Sequence, residues 1–496
     1  MVWPTSLRRV ARAGIAWPAL LVCVLVGVGV GAAVTLTNPL WLIAGLAGVL
    51  VAAWALADAR RSLWLLLAVV ALLPRFTLPL RLGFTPTFLD LALIGLLAAW
   101  GAHQLGPQPR MRLMGHVIAL PLSAMVVIAL VTFILGVPNG ALTPMVLRRF
   151  AELALSLVAV PVLMAIFREP ELLADAGRGI VLLGALSALI GIVLYFVPDD
   201  WAIRALSALR PFGYPTGPGV LRFIRDDPAL MQRATGLWID PNAFGGWLMV
   251  AGAFALPQVL SRQPLLPRAA AWLALGAIVL ALALTVSRAA MLGLAVAAAA
   301  LGLLRYRRAL LLVVLGALAM LTLPQTRELV AHFAEGFAGR DLATQMRFGE
   351  YKDALRLIAR YPLFGVGFVG TPDVDLYLGV SSMYLLIAQQ TGLVGLMTFT
   401  ALVLAALVSS VRFVWRNGLS DATLTVLLGA QGALLGVLFT GVFDHYFFNI
   451  DFHNAVIVFC LVIALATARP RDSVHGAVSD ERVIVTGDAR AASRLR

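Results

Sequence analysis

Long apolar runs alternate with short polar segments along almost the whole chain. About 18 or more apolar residues suffice for a helix to cross the hydrocarbon core of a bilayer. Alternating segments of about ten residues, which a membrane β-barrel would need, do not recur. The pattern therefore predicts an all-α polytopic membrane protein with about 12–14 transmembrane helices. The predicted spans lie near residues 17–36, 40–57, 63–80, 88–105, 114–136, 150–167, 179–198, 238–260, 269–286, 289–304, 309–323, 383–411, 424–442 and 453–468.

Arginines concentrate in the connections on one side of this layout. Short connections with at least two arginines each lie at 58–61, 107–112, 168–178, 261–268, 305–308 and 411–418, whereas the short connections at 37–39, 137–147 and 443–452 contain none. Basic residues favour cytoplasmic loops, so we expect both termini in the cytoplasm. The predicted organisation is a cytoplasmic N-terminus at 1–16, a membrane domain at 17–468 and a mobile cytoplasmic tail at 469–496.

The composition is typical of a membrane protein and gives no reason to expect a nucleic-acid, metal or cofactor partner. The 496 residues are 61% hydrophobic and 13% charged, whereas soluble domains carry about 25% charged residues. The net charge of +13 is explained by basic cytoplasmic loops and needs no nucleic-acid partner. Cys23 and Cys460 both lie in apolar runs and predict free thiols. The six histidines show no metal-ligand spacing, so we expect neither a metal site nor a cofactor.

Two long connections, 199–237 and 324–382, fall on the predicted extracytoplasmic side. Polar backbone and charge cannot be exposed to lipid, so these loops must lie in water. The turn-rich segment PFGYPTGPG at 211–219 predicts irregular structure. The segment FGEYKDALRLIARY predicts an amphipathic helix ended by Pro362. Its predicted apolar face comprises Tyr351, Leu355, Ile358 and Tyr361.

Charged residues near the membrane gather at the span ends on this same side. Arg233, Asp240 and Asn242 flank the start of the span at 238, and Arg288 lies in an apolar hairpin. Intramembrane charge is costly and usually functional, and guanidinium groups bind phosphate oxygens bidentately. The pattern therefore predicts a site for an anionic, lipid-linked substrate whose departing phosphate is stabilised by arginine.

Further candidate residues flank the later spans. Arg347, Arg356 and Arg360 lie on the predicted amphipathic helix, where they are either substrate ligands or a solvated face on lipid headgroups. Asp444 and His445 lie at the end of a span within the aromatic segment FDHYFF. The aromatic residues fit a membrane-interface belt, and the Asp–His pair is a candidate for lining the site.

Four stretches resemble the O-antigen ligase and polymerase superfamily. They are RATGLWIDPNAFGGWL (233–248), LTVSRAAMLGL (284–294), RFGEYKDALRLIARYPLFGVGF (347–368) and YLLIAQQTGLVGLMTF (384–399), within a resemblance that spans 75–465. The resemblance implies a GT-C-type glycosyltransferase of the inner membrane. It also implies a polyprenyl diphosphate glycan donor, a glycan, lipid or protein acceptor, and contacts from Arg233 and Arg288 to the diphosphate.

The chain departs from this family at one position. O-antigen ligases typically have a His, then Asn, Ser or Gln, eleven and ten residues before the Gly of the final GLxG turn. Counting back from Gly392 gives Ser381 and Ser382, and a serine is a poor base near neutral pH. Substitutes for the family His, which is proposed to activate the acceptor hydroxyl, are Glu350, Asp353, Asp373, Asp375, Asp240 and His445.

Two questions stay open from the sequence alone. The enzyme could be a ligase with a lipid acceptor or a polymerase with a glycan acceptor. A protein of a different functional class, a transporter or flippase for lipid-linked glycans, is the alternative. Transporters usually contain two related halves, and the motifs of this chain do not repeat between its halves.

Overall fold

The computed structural model describes residues 48, 50–78, 84–104, 116–322, 330, 339, 342–372 and 379–471. The chain forms two compact units, residues 1–58 and residues 59–496. In the first unit, residues 50–56 are helical. The second unit contains the elements α1 Ala59–Leu72, α2 Phe88–Gln104, α3 Ala119–Gly136, α4 Pro144–Ile166, α5 Pro170–Phe196, α6 Asp199–Ser207, β1 Arg222–Phe223, β2 Gln232–Arg233, α7 Pro241–Leu260, α8 Arg268–Leu284, α9 Arg288–Leu304, α10 Arg308–Thr322, α11 Leu342–Arg360, α12 Met383–Arg416, α13 Asp421–Phe443 and α14 His453–Ala466.

Several of these helices can cross a membrane, which confirms the predicted all-α membrane fold. Among the described residues, six helices are long and apolar enough to span it, at Ala119–Asn139, Pro144–Ile166, Pro170–Phe196, Pro241–Leu260, Met383–Arg416 and Asp421–Phe443. Shorter apolar helices lie at Phe88–Gly101, Arg268–Leu284, Arg288–Leu304, Arg308–Leu318 and Ile450–Ala466. The predicted first span, 17–36, lies outside the described residues. The side on which each terminus and loop lies stays a prediction.

Helix α7 forms the centre of the second unit. It packs against α5, α8, α9 and α13, and nearly all of its side chains are buried. A helix that is apolar on every side is typically enclosed by other helices. Small residues allow close approach: a side chain at Gly246 would collide with the ring of Tyr446. Helix α14 is also buried along its length, against α4 and α13.

The long connection after α5 is ordered around a small apolar cluster. It contains α6 and two short strands that pair antiparallel, with Arg222 opposite Arg233. Phe76, Leu206 and Tyr214 are buried together there. The segment 211–219 is irregular, as the sequence predicts, and Gly213 takes a positive φ of 78°.

The predicted amphipathic helix exists as α11, but its most deeply buried side chains are not those of the predicted face. Ala354 and Leu357 are buried, whereas Leu355 is 56% exposed. The reason is that α11 packs against α12, which the local sequence does not reveal. Within the predicted apolar face, Leu355 is therefore wrong, whereas Tyr351, Ile358 and Tyr361 are half-buried.

A turn after α11 docks onto a break in α12. Within α12, Gly392 has a non-helical conformation with φ 69°. The amide of Leu393 donates to the carbonyl of Pro362 (2.7 Å), and the amide of Val366 donates to that of Gln389 (2.8 Å). A Cβ at position 392 would lie 2.0 Å from the carbonyl oxygen of Leu363, so glycine is required there.

Candidate functional site

Arg233 lies at the end of β2 with its guanidinium held by two acceptors. Its Nε donates to the backbone oxygen of Thr285 at 2.8 Å, and its Nη2 donates to Oδ1 of Asn242 at 2.6 Å. The two acceptors belong to different parts of the chain, the turn before α9 and the start of α7. Their hydrogen bonds fix the direction of the guanidinium before any ligand binds.

Arg288 begins α9 directly after a strained turn. Val286 in this turn has φ 54°, which is rare for a β-branched residue and is often found at functional sites. The amide of Ser287 donates to Oγ1 of Thr285 at 3.1 Å. The same turn therefore starts the helix that carries Arg288 and supplies the backbone oxygen that holds Arg233.

Asp240 caps the first turn of α7 beside these arginines. Its Oδ1 accepts hydrogen bonds from the amides of Asn242 at 2.9 Å and Ala243 at 2.8 Å. This is the usual role of Asp at a helix N-terminus. The preceding Ile239 has φ 66°, so the chain turns sharply into the helix. The cap orients Asn242, which in turn holds Arg233.

Arg347 and Asp444 add a second cation and a second carboxylate. The Nη2 of Arg347, in α11, lies 3.8 Å from Oδ2 of Asp444. Asp444 follows the last residue of α13 and is only 7% exposed. Its Oδ1 accepts from the amide of His445 at 2.9 Å, and its backbone oxygen accepts from the amide of Met383 at 3.0 Å. We call Arg233, Arg288, Arg347, Asp240 and Asp444 the arginine cluster.

Arg233 lies near enough to the other four charged residues for their charges to act on it. Burial lowers the pKa of Arg233 to about 10; Asp240 and Asp444 oppose this shift, and the positive charges of Arg347 and Arg288 add to it. Burial raises the pKa of Asp444, opposed in part by Arg347. Three arginines against two carboxylates leave an excess of positive charge, so the cluster is suited to an anion.

The predicted residues around Ser381 lie beside α11. Oε2 of Glu350 accepts a hydrogen bond from the amide of Ser381 at 2.8 Å, and the hydroxyl of Tyr351 donates to the backbone oxygen of Ser381 at 2.9 Å. Ser382 is the N-cap residue of α12. Position 381 is therefore held through its backbone, and Glu350 is engaged in holding it.

The remaining predicted residues occupy different surroundings. Asp353 is buried and lies 3.1 Å from Arg356, whose side chain is 62% exposed. Arg360 is also exposed, with its guanidinium over the ring of Tyr361. The structure thus places Arg347 in the arginine cluster and these two later arginines on the exposed face of α11. Two candidate bases, at 373 and 375, lie outside the described residues.

His445 adjoins the cluster, and one of its ring nitrogens is already engaged. Its Nδ1 lies 3.0 Å from Nδ2 of Asn449. Its backbone amide donates to Asp444. Of the proposed bases that the structure describes, Asp240 belongs to the arginine cluster and His445 directly follows Asp444 of that cluster.

Two more residues lie near this site. Asp444 was predicted only as a site-lining candidate together with His445, and Arg75 was not predicted as a site residue. Arg75 donates to the backbone oxygen of Asp451 at 3.1 Å and lies over the ring of Phe452. Burial lowers its pKa, opposed by Asp240. An arginine that interrupts an apolar run was the available signal for Arg75.

Comparison with known proteins gives one family match. A family model described as O-antigen ligase matches residues 270–400. The matched region contains Arg288 and Arg347 and runs from α8 into α12, whereas Arg233, Asp240 and Asp444 lie outside it. A search of curated proteins finds no match.

Proposed function

We propose that this chain, which the match over residues 270–400 assigns to the O-antigen ligase/polymerase family, transfers a glycan from a polyprenyl diphosphate to an acceptor hydroxyl. The reaction takes place at the extracytoplasmic face of the inner membrane. The family match supports glycan transfer by a membrane enzyme. The observation that supports the donor is the convergence of Arg233, Arg288 and Arg347 at one end of α7, α9 and α13.

The donor has the two properties that this location requires. Its polyprenyl chain stays in the bilayer, and its diphosphate needs several cations at the membrane boundary. Arginine suits this role because the guanidinium is charged at physiological pH and binds phosphate oxygens bidentately. Arg233 remains protonated at neutral pH even with its pKa lowered to about 10. The arginines therefore supply the positive charge that a metal ion supplies in other phosphate sites.

The transfer step needs a leaving-group stabiliser and a proton acceptor. The acceptor hydroxyl oxygen forms a bond to the anomeric carbon, and the bond from that carbon to the diphosphate oxygen breaks. The electron pair leaves with the diphosphate, whose charge Arg233 and Arg288 stabilise. The hydroxyl proton goes to a carboxylate of the cluster.

Asp444 is the carboxylate best suited to accept that proton. One oxygen of Asp240 is already engaged, since it accepts two backbone N–H groups as the cap of α7. Glu350 is engaged with Ser381. Burial raises the pKa of Asp444, and a raised pKa makes a carboxylate a better proton acceptor. The acceptor itself is a glycan, a lipid or a protein hydroxyl.

The decisive experiment measures turnover in detergent, where transport across a membrane is impossible. Purified protein receives a polyprenyl diphosphate oligosaccharide with candidate acceptors, and release of polyprenyl diphosphate is followed by mass spectrometry. We expect turnover by the wild type and at least a hundredfold loss in Arg288→Ala, because one preorganised donor is worth about 10²–10³ in rate.

The matched control is Arg204→Ala. Arg204 is an exposed arginine of α6, on the same predicted extracytoplasmic connection, and its loss should leave turnover within about twofold, since exposed surface substitutions have small effects. Absence of turnover with every acceptor class, combined with carrier-linked glycan uptake in vesicles, would favour the transporter instead. Equal activity of both variants would refute the arginine mechanism.

A further inference from the structure

A second group of titratable side chains lies apart from the proposed transfer chemistry. Asp90 at the start of α2, Glu152 in α4 and His453 at the start of α14 place one ligand atom each within 4.8 Å of one another. Their side chains are 13%, 6% and 9% exposed, respectively. We call these three residues the buried triad.

The hydrogen bonds around His453 determine which ring nitrogen carries a proton. The hydroxyl of Ser156 donates to the backbone oxygen of Glu152 at 2.7 Å. Since that hydroxyl has only one hydrogen, its oxygen can act only as an acceptor toward Nε2 of His453, 3.2 Å away. This arrangement is satisfied when Nε2 is the protonated nitrogen, and Nδ1 of the neutral ring then carries a lone pair.

That lone pair faces two carboxylates. Nδ1 lies 3.7 Å from Oδ1 of Asp90 and 3.8 Å from Oε2 of Glu152. These separations are too long for hydrogen bonds, and Nδ1 has no hydrogen-bond partner. Three acceptor atoms turned toward one point in a buried site repel one another unless a positive ion or a shared proton lies between them.

The neighbouring groups do not supply that charge at Nδ1. The other oxygen of Asp90, Oδ2, accepts from the amide of Thr87 at 2.7 Å. Arg148 lies beside the other oxygen of Glu152, with Nε 3.4 Å from Oε1. Counted as ionised, the two carboxylates and one arginine leave the site one positive charge short of neutral.

We propose that the buried triad binds a first-row divalent transition-metal ion through Nδ1 of His453 and one oxygen each of Asp90 and Glu152. Such ions bind histidine nitrogen and carboxylate oxygen at about 2.0–2.2 Å. Two atoms bound to one ion therefore lie at most about 4.2 Å apart, and both separations from Nδ1 are within this limit. Imidazole and carboxylate ligands suit Zn²⁺, Mn²⁺ and Fe²⁺.

The ion would join parts of the chain that are far apart in sequence. It would hold the starts of α2 and α14 to the side of α4. Arg149 and Arg75 contact Asp451, two residues before His453, so the ion would also steady the segment that follows Asp444. Its role is structural and separate from the arginine cluster, so the proposal does not rest on the transfer reaction.

The first test uses the wild-type protein. After treatment with a chelator and gel filtration in detergent, the protein is titrated with Co²⁺, Zn²⁺ or Mn²⁺. We expect one equivalent of tightly bound metal by elemental analysis, a Co²⁺ absorption spectrum of nitrogen and oxygen ligation, and a higher Tm for the loaded protein. No bound equivalent would overturn the proposal and favour a proton held by the triad.

Isosteric variants locate the ion. Asp90→Asn, Glu152→Gln and His453→Gln should each weaken binding at least tenfold. Matched controls are Glu171→Gln, at an exposed carboxylate in the first turn of α5, and His116→Ala, at a second described histidine; both should bind as the wild type does. Unchanged binding by the triad variants would overturn the proposal.

A mapping experiment covers the case in which the variants do not fold. Wild-type protein loaded with Fe²⁺ is treated with ascorbate and peroxide, and oxidised residues are identified by mass spectrometry. Radicals formed at the ion attack nearby side chains, so oxidation should appear in the peptides that contain residues 90, 152 and 453 and should disappear with excess Zn²⁺. Oxidation confined to other peptides would overturn the proposal.

Discussion

Replacing Arg233 by alanine removes the best-anchored cation of the proposed donor site. Arginine has five N–H donors. Two of the Arg233 donors are engaged by Thr285 and Asn242, which leaves about three for a diphosphate. Because the two protein contacts fix the guanidinium in advance, the donor meets an oriented group and the site needs little reorganisation during transfer.

The expected magnitudes separate a loss of activity from a loss of folding. Removing one preorganised donor to a developing charge costs about 2.7–4 kcal/mol, or about 10²–10³ in kcat. Removing two hydrogen bonds costs about 1 kcal/mol each in the free energy of unfolding. Arg233→Ala should therefore remain folded, with Tm lowered by a few degrees, and lose at least a hundredfold in turnover.

The assay compares kcat and KM of four proteins for the same polyprenyl diphosphate donor. Arg233→Lys should lose about tenfold, because lysine keeps the charge but cannot bind bidentately. Asn242→Ala should lose activity in part, since it frees the guanidinium from one of its two holders. Added guanidinium ion should restore part of the activity of Arg233→Ala and none of that of Asn242→Ala.

One result would refute this reasoning directly. If Arg233→Ala turns over within threefold of the wild type while Asn242→Ala is impaired, the guanidinium has no role at the donor. Asn242 would then act at the start of α7 for other reasons. A variant that loses activity together with its thermal transition would instead indicate a structural role for Arg233.

Three further predictions follow from the packing around the site. Ser381→Ala should keep turnover within about threefold, because Ser381 is held through its backbone by Glu350 and its hydroxyl is not a base at neutral pH. Gly392→Ala should lower the free energy of unfolding by more than the about 1–3 kcal/mol of its positive φ alone, because a Cβ there would also lie 2.0 Å from the carbonyl oxygen of Leu363. The measurement is Tm against Gly276→Ala, where a Cβ meets no atom within 4 Å. The raised pKa of Asp444 should place the acid limb of the kcat–pH profile above the usual Asp value of about 3.9, since the base is lost on protonation as pH falls.

For each of these three predictions, one experimental result would contradict the reasoning. Complete loss of turnover in Ser381→Ala would make its hydroxyl essential. An unchanged Tm for Gly392→Ala would mean that the break in α12 is not required. An acid limb that is the same in Asp444→Asn and the wild type would assign the proton to another group.

The apolar pattern predicted the membrane helices well because hydropathy is a local property. The predicted span 424–442 lies inside Asp421–Phe443, and the predicted span 238–260 ends at the same residue as Pro241–Leu260. The exposure of Leu355 on α11 was missed for the same reason. Lipid and α12 both offer apolar surroundings, so spacing alone cannot decide which of Leu355 and Leu357 is packed.

The sequence predicted the cations Arg233 and Arg288 and their polar neighbours Asp240 and Asn242 as site residues, but not how they are joined. Arg233 and Arg288 stand out as charges at span ends, and the resemblance pointed to both. Their link through Thr285, and the approach of Asp444 to Arg347, arise from helices that meet in space. The buried triad joins positions 90, 152 and 453, which no motif spacing can reveal.

The docking of residues 362–366 onto the break at Gly392 has a practical consequence for protein engineering. The end of the long connection and helix α12 are held together by the backbone hydrogen bonds of Leu393 and Val366. Consider a chimera that takes a relative's connection up to residue 382 in order to change acceptor choice. Its turn at 362–366 would come from the relative, whereas the break at Gly392 would come from this chain, so the two would not be matched. Such chimeras should instead exchange the chain through the end of the GLVG turn, residues 392–395, because this transfers both contacting segments together.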